Sequence, residues 1–499
     1  MSWSKGYFTD SGYTYGFYPQ LTPLSIYWAS LIKGHILPIE KFRYIDLGCG
    51  QGYSLIMNAI NHPDAEFVGF DLMPEHIQHA TDLSTRLGLE NIKFYEFDFL
   101  DGDYENLKIS KFNYVIAHGI TTWVNLEVRH ALSKIVDKAI KIGGVFHNSY
   151  NTPYFWQQLI SFQHLARTFS LNNDGSSAIN KAVKYYEFVN QLVPDFLDSN
   201  PYLRDKLKTF KTQSKDYLIH EYCNQNWRLV FFSDEYEINS KIKLNYLGSM
   251  NLTEEFDEHL PKELLDEIKT ENWLTQKIMK DTFLSTSFKH DLWIKGRPQD
   301  VSSAILTEIN RLIIYPHWQQ PFFDLTQPIK IKSGPIEIHT KNKLAQYILN
   351  NSKQCGLELN NILNFNEDLD EILRIISILI DSKYISIGFE KCNKSNSNIL
   401  KIILSEIAEG KPYNFVPAGN IASAVDLDTI GLIMLAASIN ISNKSEILDS
   451  TIEILKKRKN KVYSEDEEIL GSSLYDYLSK FYDKKFIEIK NKLSVLGAI

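Results

Sequence analysis

The residues able to do chemistry in this chain gather on one loop and two strand ends. Phe42-Arg-Tyr-Ile-Asp46-Leu-Gly48-Cys49-Gly50-Gln-Gly52 is an apolar strand running into Asp-x-Gly-x-Gly-x-Gly. Glycines at that spacing let the backbone turn tightly after the strand and come close to a bound ligand, which a Cβ would obstruct. A dinucleotide fingerprint would read Gly-x-Gly-x-x-Gly over a pyrophosphate at a helix start. Here the sixth position is Tyr53, and Asp46 stands two residues before the first glycine. An acid beside such a loop suits a cofactor with a cationic end and no phosphate. S-adenosylmethionine, with its sulfonium, ammonium and carboxylate, is the expected ligand.

The next two strands also end in acids. Glu66-Phe-Val-Gly-Phe-Asp71 sets a carboxylate nineteen residues after Gly52. A parallel sheet would bring it to ribose hydroxyls, a two-acceptor task that suits Asp. Ile92 to Phe99 carries Asp98, placed to accept the amino hydrogens of adenine, with Phe99 beside the ring. A single strand-end Asp serves as a turn residue or helix N-cap as readily as a ligand. Three at successive strand ends beside a glycine loop point to a nucleoside. His118 ends the fourth strand, Tyr114 to Gly119. It reads either as a core histidine or as a contact to cofactor or substrate in the crevice at the sheet's carboxyl edge.

The elements that must position these groups alternate. A helix is expected from Ser54 to Ile60, amphipathic runs cover Pro74 to Leu87 and Leu126 to Ile142, and Gly143-Gly144 leads a fifth strand to Asn151. This order predicts an α/β fold with a parallel sheet. The pattern then turns helical over Thr152 to Phe169, Ala178 to Leu192 and Pro201 to Lys215, with Asn172-Asn-Asp-Gly-Ser-Ser177 as punctuation. The core returns with a helix from Ser233 to Ile242 and a sixth strand from Lys243 to Ser249. The expected organisation is a Rossmann-like core of residues 1–150 and 233–252 and a helical insertion over 151–232, serving dimerisation or substrate recognition. A helical to mixed middle domain over 253–340 and a C-terminal α/β domain over 341–499 follow. In these last two, Glu254 to Met279 is charged and amphipathic, Lys341 to Leu349 and Asp368 to Ile380 repeat apolar residues at helical spacing, and Lys383 to Phe389 reads as a strand.

The set Asp46-Leu-Gly-Cys-Gly-Gln-Gly52, Asp71, Asp98 and Gly143-Gly144 resembles the class I methyltransferases. Tyr13 to Gln20, Ala117 to Val124, Ser149 to Pro153 and His220-Glu221-Tyr222 resemble the bacterial methyltransferases that carry a regulatory-type second domain. Within these, the chain looks most like the rickettsial protein lysine methyltransferases that modify outer membrane protein B. The resemblance runs to about Leu252, with Tyr315-Pro-His-Trp318-Gln-Gln-Pro321-Phe322 as a later anchor. It implies cofactor contacts from Tyr18, Asp46, Gly48, Cys49, Gly50, Asp71, Leu72, Asp98, Phe99 and His118. It implies an acceptor pocket with Trp123, Tyr150 and Asn151 as catalytic residues. It further implies a polypeptide substrate, outer membrane protein B or a similar surface protein, and allows a homodimer. The chain departs from the family pattern at Ile120-Thr-Thr122, where related chains often carry an aromatic residue.

Composition narrows the partners. At 499 residues the chain exceeds one core. A net charge of −8 argues against nucleic acid, whose phosphates demand a basic surface. Cys49, Cys223, Cys355 and Cys392 lie far apart with no Cys-x-x-Cys pair, so neither a zinc site nor a disulfide scaffold is expected. Lys5 and Asp10 sit among tyrosines where a signal peptide would need an apolar core. The longest apolar run, around Ile430 to Ile439, falls short of the ~18 to 20 residues that span a bilayer. A cytoplasmic protein without metal, nucleic-acid partner or membrane insertion is therefore expected. Two functional classes stay open: a methyltransferase, acting on protein lysine or else on a small molecule or RNA, and a cofactor-binding regulatory protein.

Overall fold

Arg43–Leu47 forms strand β1 because its alternating side chains have two apolar layers to enter. Tyr44 joins Phe42, Phe67 and Tyr114 on one face, while Ile45 and Leu47 join Val115, Val136 and Phe146 on the other. A strand buried on both faces belongs inside a parallel sheet. β1 lies between Glu66–Asp71 (β2) and Phe112–Ala117 (β4) and runs parallel to both. Ile92–Glu96 (β3) and Ile140–Asn151 (β5) extend the sheet on either side, again parallel. Leu244–Ser249 (β6) and Phe288–Lys295 (β7) complete it in the order β3-β2-β1-β4-β5-β7-β6, with β7 antiparallel to both neighbours. The fold is mixed α/β with a Rossmann-like core. The computed structural model describes residues 15–210, 213, 215–298, 302–319, 330–333, 336–339, 342–352, 356–363, 368–389, 397–464 and 467–499. Lys5, Asp10, Tyr13, Pro321, Phe322, Lys341, Cys355 and Cys392, all singled out above, lie outside the described residues.

Pro23–Leu31 (α1), Tyr53–Asn61 (α2) and Pro74–Arg86 (α3) cover one face of the sheet, and Leu126–Ala139 (α4) covers the other. Asn125 caps α4, its Oδ1 accepting from Val128 N–H at 2.9 Å. Beyond β5, helices Pro153–Trp156 (α5), Ile160–Ser170 (α6), Gly175–Leu192 (α7), Pro201–Thr209 (α8) and Lys215–Tyr222 (α9) enclose a separate core that includes Phe162, Ala182, Tyr186, Leu207 and Tyr222. The single helix expected over Thr152 to Phe169 is divided by a 3₁₀ turn at Gln157–Leu159. Phe232–Lys241 (α10) then returns the chain to β6.

The core does not close at residue 252. After two 3₁₀ turns, Lys262–Ile268 (α11) and Trp273–Leu284 (α12), the chain re-enters the sheet as β7, between β5 and β6. The sequence reading ended the core at residue 252 and placed this stretch in a middle domain on the charged, amphipathic run Glu254 to Met279, and it did not anticipate β7, which carries Lys289 and Asp291. Both are fully buried. Lys289 Nζ lies 2.9 and 3.0 Å from the two carboxylate oxygens of Asp281 on α12, a pairing that makes its burial tolerable.

Further along, Leu312–Pro316 pairs antiparallel with Leu357–Glu358 and with Ile385–Phe389. Helix Leu369–Asp381 buries Ile372, Ile375, Ile376 and Leu379 at the spacing read from sequence. The C-terminal part joins the same apolar cluster as α1 and α2. It grips the core through polar bonds too: Tyr53 Oη donates to Phe415 O (2.7 Å), Asn61 Nδ2 to Ser423 O (2.7 Å), and Arg86 pairs with Glu406 at 2.7 Å. The apolar run near residue 430 is helix Thr429–Ala437, buried in that cluster. No helix among the described residues is long and apolar enough to cross a membrane.

Candidate cofactor site and acceptor wall

The loop between β1 and α2 is held to β2 by its backbone. Gly48 and Cys49 N–H both donate to Phe70 O (2.7 and 2.8 Å), and Gly50 N–H donates to Asp71 Oδ2 (2.8 Å). Gly52 has φ +74°, and a Cβ there would lie 2.4 Å from the Ala80 Cβ of α3. Glycine is therefore required both for the backbone and for the close approach of α3. Asp71 ties the loop to that helix as well, since its Oδ1 accepts from Met73 N–H at 2.9 Å and lies 3.1 Å from His76 Nδ1.

Asp46, at the end of β1, is buried at the cavity wall, and its Oδ1 has no hydrogen-bond partner in the protein. Burial, aided by the neighbouring charge of Asp71, pushes its carboxyl up to about 7. A buried carboxylate left unpaired is a group that a cation would satisfy. The donor set thus fits the ammonium of S-adenosylmethionine.

One open cavity brings together Tyr18, Asp46, Gly48, Cys49, Gly50, Asp71, Leu72, Asp98, Phe99 and His118, and Trp123 lines it too. Asp98 sits in the turn after β3, where its Oδ1 accepts from Leu100 N–H at 2.8 Å, so the turn role and the cavity position coexist. His118 packs against Tyr18, with ring centroids 4.4 Å apart. Its Nδ1 lies 2.9 Å from the hydroxyl of Ser149, which also accepts from Gly119 N–H (2.9 Å). Behind it His147 and His290 meet at 3.2 Å. Burial holds His118 near 4 and His290 near 3, and burial beside those two histidines holds His147 well below its ordinary value, so this stack is neutral at pH 7. Among the described residues no cluster of His, Cys, Asp or Glu is arranged to hold a metal ion.

Tyr150 and Asn151 do not line the cavity. Successive residues of a strand point to opposite faces, and the Tyr150 hydroxyl donates to Asp291 Oδ2 (2.5 Å) in the buried charge network of β7. Asn151 lies behind another side chain: its Nδ2 donates to Glu221 Oε1 at 3.2 Å. Glu221 itself lines the cavity, together with Tyr217, His220, Asn224 and Asn226 from α9 and the turn after it. The motif His220-Glu221-Tyr222 was the sequence signal for this wall, but nothing local showed that the insertion folds back over the cofactor loop.

Comparison with known proteins agrees with this architecture. Residues 40–200 match a family model described as a methyltransferase domain. Residues 214–295 match one described as a predicted methyltransferase regulatory domain. An uncharacterized protein of Synechocystis is 31% identical over 61% of this chain and 62% of its own length. An uncharacterized protein of Rickettsia prowazekii is 22% identical over 74% of this chain and 66% of its own. The chain therefore spans somewhat under two thirds of the length of these relatives. Among solved structures, PKMT2 of Rickettsia typhi, in complex with AdoHcy, superposes with a TM-score of 0.69 at 19% identity over 97% of this chain and 99% of that one. The chain thus carries a methyltransferase domain followed by a predicted methyltransferase regulatory domain. The cofactor of that domain is S-adenosylmethionine.

Proposed function

We propose that this protein methylates lysine side chains of a polypeptide, with a bacterial outer membrane protein or similar surface protein as the acceptor, met in the cytoplasm before export. The observation that carries this reading is the acceptor wall. Tyr18, Trp123 and the buried carboxylate of Glu221 stand in the same cavity as the cofactor loop. Aromatic lining ending in a carboxyl group that can accept a proton suits the apolar stem and cationic tip of lysine.

S-adenosylmethionine supplies a methyl group on a sulfonium, and the chemistry asks for a neutral amine held in line. A free lysine side chain titrates at about 10.4, so keeping it neutral near pH 7.4 costs about 4 kcal/mol. The neutral histidine stack adds no positive charge to repel the arriving ammonium. Tyr18 and Trp123 offer ring faces to a methylated ammonium, each worth about 0.5–2 kcal/mol. The motif resemblance to the rickettsial enzymes and the shared fold with PKMT2 support the same acceptor. The net charge of −8 weighs against RNA.

The test is incubation of the full chain with methyl-labelled S-adenosylmethionine and unfolded outer membrane protein fragments beside a fractionated bacterial extract. Label mapped to lysine by mass spectrometry is expected. Label only in RNA or small molecules would refute the acceptor class, and cofactor binding without transfer would return the protein to a regulatory role.

A further inference from the structure

Glu221 belongs to α9, outside the strands that hold the cofactor loop, yet its side chain reaches their cavity. It is 8% exposed, and the Asn151 amide bonds its Oε1 from the end of β5. Asn151 is itself fixed on the backbone side: its N–H donates to Thr122 Oγ1 (2.8 Å) and its carbonyl accepts from Val230 N–H (3.0 Å). The titratable groups facing Glu221 are Lys206 and Tyr202 from α8 and Tyr217 and Tyr222 from its own helix. A buried carboxylate on the acceptor wall, oriented by a fixed amide, is placed to take a proton.

We propose that Glu221 accepts the proton of the lysine ammonium and that Asn151 positions it, so that a residue of the regulatory domain completes the reaction. This rests on lysine being the acceptor. In the step, one N–H bond of the ammonium breaks and one O–H bond forms on the carboxylate, leaving a neutral amine and a neutral acid. Two charges are thereby cancelled where water is scarce, which burial favours. Burial, opposed by the bond from Asn151 and by Lys206, raises the carboxyl of Glu221 to about 8. Proton transfer from a lysine near 10.4 is then opposed on the order of 10²-fold, against on the order of 10⁶-fold for an ordinary glutamate.

The test uses the full chain and a lysine peptide that the unaltered protein methylates. Glu221→Gln keeps the shape and an acceptor for Asn151, so S-adenosylmethionine affinity by calorimetry should be unchanged. Turnover should fall on the order of 10²–10⁴-fold, and the loss should shrink as pH rises toward that of the free amine. Asn151→Ala removes a bond that favours the charged carboxylate, so the acidic limb of kcat/KM should move to higher pH. Carbon-13 NMR of glutamate-labelled protein reads the same group without turnover: a carboxyl titrating near pH 8 should be absent from Glu221→Gln. A Gln variant that turns over like the unaltered protein, a loss confined to KM, or a loss independent of pH would overturn the proton role and leave lysine methylation standing. If the unaltered chain labels only other acceptors, the lysine reading falls, and this inference with it.

Discussion

Replacing Asp46 by Asn should make the cofactor-free protein more stable and its cofactor complex weaker. The Asp46 carboxyl, ordinarily near 3.8, is raised to about 7 in the folded chain, mainly by burial. Each pH unit is worth about 1.36 kcal/mol, so about three units amount to about 4 kcal/mol. The folded state holds this proton more tightly than the unfolded one. Stability is therefore unpenalised below about pH 4, declines as pH rises, and carries the full penalty above about pH 7. Asparagine has no charge to strand in the cavity wall. Without cofactor, Asp46→Asn should unfold later than the unaltered chain at pH 8, by up to about 4 kcal/mol, and this advantage should narrow at pH 5. With saturating S-adenosylmethionine the order should close or reverse, since a charge-assisted hydrogen bond worth about 1.5–3 kcal/mol is lost and affinity falls about 10- to 150-fold. Denaturant melts at the two pH values, with and without cofactor, and calorimetry of binding measure both effects. An Asn variant no more stable than the unaltered chain at pH 8, or one that binds the cofactor equally well, would refute the assignment of Asp46 as the unpaired anion of the site.

Gly52→Ala should cost about 2–5 kcal/mol, from an L residue at φ +74° and a Cβ placed 2.4 Å from that of Ala80; a loss under about 1 kcal/mol in urea melts would contradict the packing described. Lys289→Ala removes the nearer of the two lysines that pair with Asp281, leaving Lys277 at 3.4 Å, and should destabilise by about 3–5 kcal/mol. A near-neutral melt would mean that water or Lys277 already satisfies that carboxylate. Tyr413→Phe removes the hydroxyl 2.8 Å from His79 Nε2, whose Nδ1 lies 2.8 Å from Gln51 O in the glycine loop. It should lower stability by about 1 kcal/mol and cofactor affinity less than tenfold, and unchanged values of both in melts and calorimetry would separate the C-terminal part from the loop.

What was legible in the sequence was local. Asp46, the glycines and Asp71 announce themselves because a strand, a tight turn and a second strand end need those residue types at fixed spacing, and the structure gathers them at one cavity. Tyr150 and Asn151 could not both face an acceptor on a regular strand, because neighbours alternate. That Tyr150 enters a buried charge network depended on β7, invisible beforehand because its polar residues are paired inside the protein, Lys289 with Asp281 of α12 and His290 and Asp291 with His147 and Tyr150 of β5. Glu221 was legible only as part of a motif, since its value comes from α9 folding back against Asn151 across 70 residues of chain. Phe94 offers a subtler case. Its ring fills the space beside Gly69, where a Cβ would lie 2.6 Å away, so that glycine in β2 serves packing, though it reads as an ordinary weak point in a strand.

The regulatory domain is not an appendage of this fold. The residues that match its family model, 214–295, include α9, which walls the cavity, and both β6 and β7, which complete the sheet. Without them β5 would be an edge strand with its hydrogen-bonding groups unpaired along Val145 to Asn151. The buried Tyr150 hydroxyl would also lose its acceptor Asp291. A domain that supplies two of the seven strands cannot act by docking and leaving; any influence it exerts on the reaction must pass through side chains already at the cavity. Glu221 and its neighbours on α9 are those side chains, so on the role proposed for Glu221 the segment 214–295 reaches the reaction through the same wall that lines the cofactor cavity.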